Sequence, residues 1–349
     1  MTPRERWHAV LAHRLPDRIP TDYWGTAEIT EKLLSHFGFS STAELWPTLH
    51  IDKVHHVAPN YIGPKRKPGE DVWGIRRRTV EHADGAGVYS EPENHPWEGF
   101  ESVEELERSV TWPSADWWDY STIPDQIQAA GDYPRQGGGS EPFLTYCHLR
   151  GMEQAYMDLV LAPELAHHCI DKLYDLAYEQ TKRILEAADG EIDFIYVAED
   201  MGSQSSLLFS PQQIEAFFVP GFSRMIELGH SAGAKVFHHS DGSVRPIIPR
   251  MIELGIDVLN PVQWRCEGID RAELKASFGD RVVFHGAMDN QETLPFSTTD
   301  EVVAEVRENI ALLGAGGGYV LAPCHNLQSI TPVENVIAMY ETAHAEGRY

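Results

Sequence analysis

The sequence has few cysteines, no long apolar run and a shortage of positive charge. Its 349 residues include four scattered cysteines, too few for a disulfide framework, so we expect a reducing, cytoplasmic location. No apolar run approaches the roughly 20 residues of a membrane-spanning helix, and the charged, proline-broken N-terminus is unlike a secretory signal. Lysine and arginine number 28 against 53 acidic residues, and the net charge of −25 argues against nucleic-acid binding. We therefore expect a soluble protein acting on a small molecule, with a homodimer as one possible assembly.

Short β-rich runs alternate with amphipathic helical segments along most of the chain. The eight candidate strands are 18–24, 51–58, 142–147, 192–200, 234–242, 255–263, 281–289 and 318–326. Helical spacing of apolar residues is clearest over 211–233 and 298–314. Such alternation predicts parallel strands joined by right-handed crossovers. Because no strand is followed by a G-x-G-x-x-G turn, we favour one α/β domain over 1–349, a (β/α)₈ TIM barrel, over an open doubly wound sheet.

The region 60–140 departs from this alternation. Residues 71–97 read as a β-hairpin around Asp84-Gly85. The stretch 111–140, which ends in a run of glycines, is typical of a loop. We expect this hairpin and loop region to be an insertion near the barrel mouth.

Polar side chains occur at the predicted strand ends, where (β/α)₈ barrels carry their active sites. Those that we expect to bind substrate are Gln204, Gln263, His285, Asn326 and Gln328. Glu199 and Asp200 end the strand 192–200, where either one could act as a general acid or base. The alternative is that loop amides satisfy both carboxylates. Arg150 either binds an acidic substrate or pairs with Glu153, three residues further along a helix.

A candidate metal site combines His239, Asp241 and Cys324. Side chains spaced i, i+2 at a strand end point the same way, and a thiolate from another strand end completes three ligands. Three protein ligands and an open position are the catalytic zinc pattern. Three alternatives stay open: a histidine that only forms hydrogen bonds, a Cys324 that is merely a small buried side chain, and a Cys324 nucleophile with His239 as its base.

These residues lie in segments that resemble the uroporphyrinogen decarboxylase superfamily, which includes zinc-dependent methyltransferases serving corrinoid proteins. The resemblance covers nearly the whole chain and is most specific in EPFLTYCHLRGMEQAYMDLVLAPEL, YVAEDMGSQ, VFHHSDGSVRPIIPRMIELGIDVLNPVQ and VFHGAMDNQETLPF. It implies a single (β/α)₈ barrel. The decarboxylase branch carries an arginine-containing N-terminal M-R-Q-A-G-R stretch, whereas this chain has no arginine between Arg18 and Arg66.

The methyltransferase branch binds zinc through His-x-Cys on one strand and a second cysteine on the last strand. His239 and Cys324 match that pattern, and Asp241 replaces the middle cysteine. The resemblance implies a zinc-dependent methyltransferase in which Glu199 or Asp200 handles the proton. It also implies cobalamin carried by a separate corrinoid protein, since we identify no cobalamin-binding domain in this sequence. The alternative is a metal-free decarboxylase or lyase, with Asp200 or His239 as proton donor and Arg150 holding a carboxylate. The remaining alternative is a non-catalytic, ligand-binding barrel.

Overall fold

The architecture was taken from a computed structural model, which describes residues 1–81 and 88–349. The strands are β1 (His55–Val57), β2 (Asn60–Tyr61), β3 (Arg77–Glu81), β4 (Val88–Pro92), β5 (Trp118–Asp119), β6 (Arg135–Ser140), β7 (Phe194–Ala198), β8 (Lys235–His239), β9 (Val258–Asn260), β10 (Val283–Met288) and β11 (Tyr319–Pro323). The α-helices are α1 (Pro3–Leu11), α2 (Ala27–Phe37), α3 (Thr42–Thr48), α4 (Val103–Ser109), α5 (Ile123–Ala130), α6 (Pro142–Arg150), α7 (Met152–Leu161), α8 (Pro163–Ala188), α9 (Pro211–Gln213), α10 (Val219–Ser231), α11 (Ile248–Leu254), α12 (Arg271–Phe278), α13 (Thr293–Phe296), α14 (Thr299–Asn309) and α15 (Val333–Glu346). A 3₁₀ turn covers Ala115–Trp117, and π-helical turns cover Ile214–Phe218 and Ile310–Gly314.

Seven parallel strands form one curled sheet in the order β1-β6-β7-β8-β9-β10-β11. Helices follow most of these strands, as in a TIM-like barrel, and the predicted α/β class is confirmed. Among the described residues, no helix is long and apolar enough to cross a membrane.

The prediction of a barrel closed by eight strands is wrong in one respect, because the segment 18–24 is not a strand. It lies along β11 with a single parallel bridge between Thr21 and Leu321. On its other side, the Thr21 N–H donates to the Asp52 carboxylate at 3.0 Å instead of to a backbone carbonyl. Pro20 has no N–H to extend the ladder. The gap between β1 and β11 is therefore filled by this segment without continuous pairing.

The prediction of a strand over 142–147 is also wrong, since those residues begin α6, and the strand is β6, placed in the predicted loop. Glycines 137–139 have low strand propensity, but the packing around them leaves no room for side chains. A Cβ on Gly139 would lie 2.0 Å from the Tyr196 carbonyl oxygen of β7, and one on Gly138 would lie 2.7 Å from Thr181 of α8. Long-range packing of β6 between its neighbours thus overrides its local preference.

The region between β1 and β6 is an insertion, as predicted. It contains the antiparallel hairpin β3–β4, which confirms the predicted hairpin, although its turn at Asp84-Gly85 lies outside the described residues. The predicted helices over 211–233 and 298–314 are likewise confirmed, each with one π-helical turn.

A layer of apolar side chains fills the inside of the curled sheet. It consists of Phe194, Phe237, Val258, Val283 and Val320, one from each of five strands. Trp7 of α1 closes the bottom of this layer, with its ring centroid 5.0 Å from that of Phe194. The carboxyl ends of the strands are therefore the open end of the barrel.

Candidate functional site

Polar side chains occupy the layer immediately above the apolar one. Each stands two residues after an apolar layer member, so strand alternation points both into the barrel. These upper positions are Tyr196, His239, Asn260 and His285. The His239 ring lies between Trp24 and Tyr196, with both ring centroids 5.7 Å away. The site thus rests on a rigid apolar floor.

Three side chains converge on one point at the end of β8. The His239 Nε2 atom lies 3.7 Å from Asp200 Oδ1 and 3.9 Å from Asp241 Oδ1. The Asp241 N–H donates to Asp200 Oδ1 at 3.0 Å, which orders the two loops against each other. Asp241 Oδ1 is buried and has no hydrogen-bond partner among the described residues. These three residues could hold a metal ion, since one donor atom from each lies within 4.8 Å of the others, and we call them the metal-ligand cluster.

Two of the three predicted metal ligands, His239 and Asp241, belong to this cluster, but Cys324 does not. Its buried thiol donates to the Val262 carbonyl oxygen at 3.3 Å. Burial, reinforced by nearby carboxylates, raises the pKa of the Cys324 thiol well above its ordinary value. A buried thiol held in its protonated form is a poor nucleophile. Asp200 takes the third position instead.

Glu199 and Asp200 have different roles in the structure. Glu199 is buried and accepts hydrogen bonds from the backbone N–H of Phe143 at 2.6 Å and of Leu144 at 3.3 Å. It therefore satisfies donors at the start of α6, where orphan N–H groups need a partner. Burial raises the pKa of Glu199 well above its ordinary value. The side chain of Asp200 is 47% exposed and contributes its Oδ1 atom to the metal-ligand cluster.

Glu141 is a residue that sequence reasoning missed. It precedes α6 and its charge interacts with His239, Asp200 and Asp241. Burial, with the two aspartates adding to it and His239 opposing, raises the pKa of Glu141 to about 7. Burial likewise raises the pKa of Asp241. The cluster is thus a pocket of carboxylates poorly compensated by positive charge, which suits a bound cation or a proton carrier.

Two cavities flank the metal-ligand cluster. Asp241 lines the first, of about 660 Å³, together with three of the predicted substrate-binding residues, Gln204, Gln263 and Gln328. Asn326, a fourth, lines the second, of about 590 Å³, with aromatic side chains that include Trp24 and Tyr196. The side-chain oxygen Oε1 of Gln263 also accepts a hydrogen bond from the Gly242 N–H at 2.5 Å, which holds the loop that carries Asp241.

The two remaining predicted substrate-binding residues lie elsewhere. Arg150 is buried, where its Nε donates to Asp158 at 2.7 Å and its Nη1 donates to the Trp97 carbonyl oxygen at 2.9 Å. It therefore pairs with Asp158 and not with Glu153. His285 is fully buried beneath the cluster, where it contacts Asn260 at 2.7 Å.

Comparisons with known proteins identify the family. The profile of the uroporphyrinogen decarboxylase (URO-D) family matches residues 126–346. The chain is 26% identical over 234 residues to uroporphyrinogen decarboxylase of Psychromonas ingrahamii, covering 61% of this chain and 59% of that protein. It is 27% identical over 208 residues to methylcobamide:CoM methyltransferase of Methanosarcina barkeri, covering 60% of this chain and 57% of that protein. These matches span somewhat more than half of each relative's length.

The fold is similar to that of a solved methyltransferase from Methanosarcina mazei, with a TM-score of 0.70, 19% identity and 99% of each chain covered. At that identity the likeness establishes the fold alone. The URO-D profile, however, matches well over half of the chain, and the superfamily predicted from the sequence motifs is confirmed. The protein belongs to the uroporphyrinogen decarboxylase (URO-D) family.

Proposed function

We propose that the protein is a zinc-dependent methyltransferase that works with a corrinoid protein. The observation that carries the proposal is the convergence of one imidazole nitrogen and two carboxylate oxygens at the barrel mouth. The likeness to the M. barkeri methyltransferase supports it, because that relative acts on a methylcobamide.

The chemistry of the donor set fits zinc. One imidazole nitrogen and two carboxylate oxygens are donor types that zinc takes in proteins. The His239 Nε2 atom lies 3.7 and 3.9 Å from the two carboxylate oxygens, so one ion could contact all three side chains. The orphaned Asp241 Oδ1 would gain a partner, and the cation would offset the repulsion between Asp200 and Asp241. His239, Asp200 and Asp241 would therefore hold the ion and leave one position open.

A zinc ion at this position supplies Lewis acidity toward a thiol or another heteroatom of the substrate. The remaining residues bind the substrate and move the proton. Gln204, Gln263 and Gln328 offer neutral hydrogen-bonding groups along the larger cavity. With Asp200 engaged as a ligand, we assign the proton that the substrate loses to Glu141, a carboxyl group whose charge interacts with the cluster and which the ion leaves free.

The test is the zinc content of protein purified without chelator or affinity-column metal. We expect about one zinc per chain in the wild type, and loss of zinc in Asp200→Asn and Asp241→Asn. Cys324→Ala should keep its zinc, and Asp132→Asn, a change at an exposed carboxylate, is the matched control. Loss of zinc in Cys324→Ala would instead favour the ligand set that the family pattern implies.

Methyl transfer is then tested with methylcobalamin and thiol acceptors, following the absorbance change of the cobalamin. We expect turnover that depends on zinc and on Asp241. Protein that never binds zinc would overturn the proposal.

The second candidate is a metal-free decarboxylase acting on a carboxylated substrate. The relative from P. ingrahamii bears that activity in its name, and Glu141 could donate the proton that such a reaction needs. Release of carbon dioxide from a supplied carboxylate by zinc-free protein, abolished in Glu141→Gln, would establish it.

A further inference from the structure

A chain of buried hydrogen bonds runs from the floor of the barrel to the metal-ligand cluster. His285 Nε2 lies 3.2 Å from Asp22 Oδ2, Asn260 Nδ2 lies 2.7 Å from His285 Nδ1, and His239 Nδ1 lies 2.5 Å from Asn260 Oδ1. All four side chains are at most 6% exposed. Each link joins a different strand or segment, so the chain depends on the tertiary structure.

Asp22, the first residue of the hydrogen-bond chain, can only accept hydrogen bonds. Asp22 accepts from the backbone N–H groups of Tyr23 and Val54 and from the indole N–H of Trp24. Burial opposes ionisation of Asp22, but the Lys53 charge and the hydrogen bonds from His285 and the Tyr23 N–H hold its pKa below the ordinary value. At neutral pH Asp22 is therefore an ionised carboxylate, which has no proton to donate.

Because Asp22 can only accept, it determines which group donates in each later hydrogen bond of the chain. Facing a carboxylate, His285 must carry its proton on Nε2. Burial lowers the pKa of His285, so the ring is neutral and its Nδ1 has a lone pair. That lone pair requires the NH₂ group of Asn260, which turns the Asn260 carbonyl toward His239. A carbonyl accepts, so His239 carries its proton on Nδ1.

We propose that Asp22, His285 and Asn260 hold His239 in its Nδ1–H tautomer and aim the lone pair on Nε2 at the position shared by Asp200 and Asp241. Asn260 is thus a positioning residue for the metal-ligand cluster. The stacking of Trp24 on His239 supports the same orientation, because Asp22 also binds the Trp24 indole. The inference deepens the proposed function and rests on its metal site, but its first test needs neither metal nor activity.

The test reads the tautomer of His239 directly in metal-free, folded protein. Histidine labelled with ¹⁵N in its ring gives distinct nitrogen shifts for the protonated and unprotonated ring nitrogens, and His239→Gln assigns the signals. We expect a protonated Nδ1 in the wild type. A wild-type His239 with an unprotonated Nδ1 would overturn the inference.

Variants then test each link. Asn260→Leu and His285→Phe should release the Nδ1–H tautomer and weaken zinc binding, measured by competition with a chromophoric chelator, by about 10–100-fold. His285→Gln keeps one donor and one acceptor in the same order, so it should restore both the tautomer and the affinity. If Asn260→Leu does not fold, the comparison of His285→Phe with His285→Gln tests the role of the hydrogen-bond chain.

Unchanged tautomer and affinity in His285→Phe would refute the role of the chain. The two proposals fail separately. Wild-type protein with the Nδ1–H tautomer but without any zinc affinity would overturn the metal site and leave the hydrogen-bond chain established.

Discussion

Glu141 gives the sharpest test of the electrostatics at the site. Its carboxyl group is largely removed from solvent, and the charges of Asp200 and Asp241 add to the effect of burial. A carboxyl group in such a place favours its neutral form. We therefore predict that Glu141→Gln, which keeps the shape and removes the charge, stabilises the metal-free protein at neutral and alkaline pH.

The magnitude follows from the pKa. Raising the pKa of Glu141 from 4.5 to about 7 corresponds to about 3 kcal/mol between the two protonation states. Because the folded state binds the proton more tightly than the unfolded state, stability falls as pH rises from the unfolded to the folded pKa and is constant above it. Partial solvent screening makes the figure an upper limit, so we expect a gain of roughly 1–3 kcal/mol above pH 7.

The assay is urea unfolding of metal-free wild type and Glu141→Gln at several pH values from 5 to 8. The free energies of unfolding should be similar at pH 5 and should diverge by roughly 1–3 kcal/mol at pH 8, with the variant more stable. Glu153→Gln, a change on the exposed part of α7, is the matched control and should show no such divergence.

Zinc provides an internal check on the same prediction. A cation among Asp200, Asp241 and His239 lowers the pKa of Glu141, so saturating zinc should shrink the divergence between wild type and Glu141→Gln. If the free energies of unfolding of the two metal-free proteins changed with pH in parallel, the reasoning would be refuted. That result would mean that Glu141 ionises in the folded protein without loss of stability.

Three further predictions concern the scaffold. Arg150→Met should destabilise the protein by about 3–5 kcal/mol, because it leaves the buried Asp158 carboxylate without its cation; the double variant Arg150→Met/Asp158→Leu should recover part of that loss in the same urea assay. Gly139→Ala should lower the yield of folded protein and the melting temperature, because its Cβ would lie 2.0 Å from the Tyr196 carbonyl oxygen; a normal melting temperature would contradict the close approach of β6 and β7. Cys324→Ala should cost about 1–2 kcal/mol, the effect of removing a small buried side chain, and Cys324 should resist thiol reagents until the protein unfolds.

Much of the fold was predictable because the spacing of apolar residues in strands and helices can be recognised within a short stretch of sequence. The strands that carry His239, Asn260 and His285 each alternate between the core and the barrel interior, and five predicted strands between 192 and 326 are present. The i, i+2 spacing of His239 and Asp241 correctly indicated that both face one point. The motifs of the URO-D family lie largely in these same segments.

The sequence alone determined the α/β class, the family and the strand ends at which polar side chains gather, because these depend on composition and on short-range periodicity. That the glycines at 137–139 form strand β6 depends on the tertiary packing, because β7 and α8 approach too closely for side chains there. The same packing places Asp200 beside His239 and Asp241, turns the Cys324 thiol toward the Val262 carbonyl oxygen, and pairs Arg150 with Asp158. These contacts depend on where loops from different strands place individual atoms. Differences of a few ångströms decide them, and no local sequence pattern specifies positions that finely.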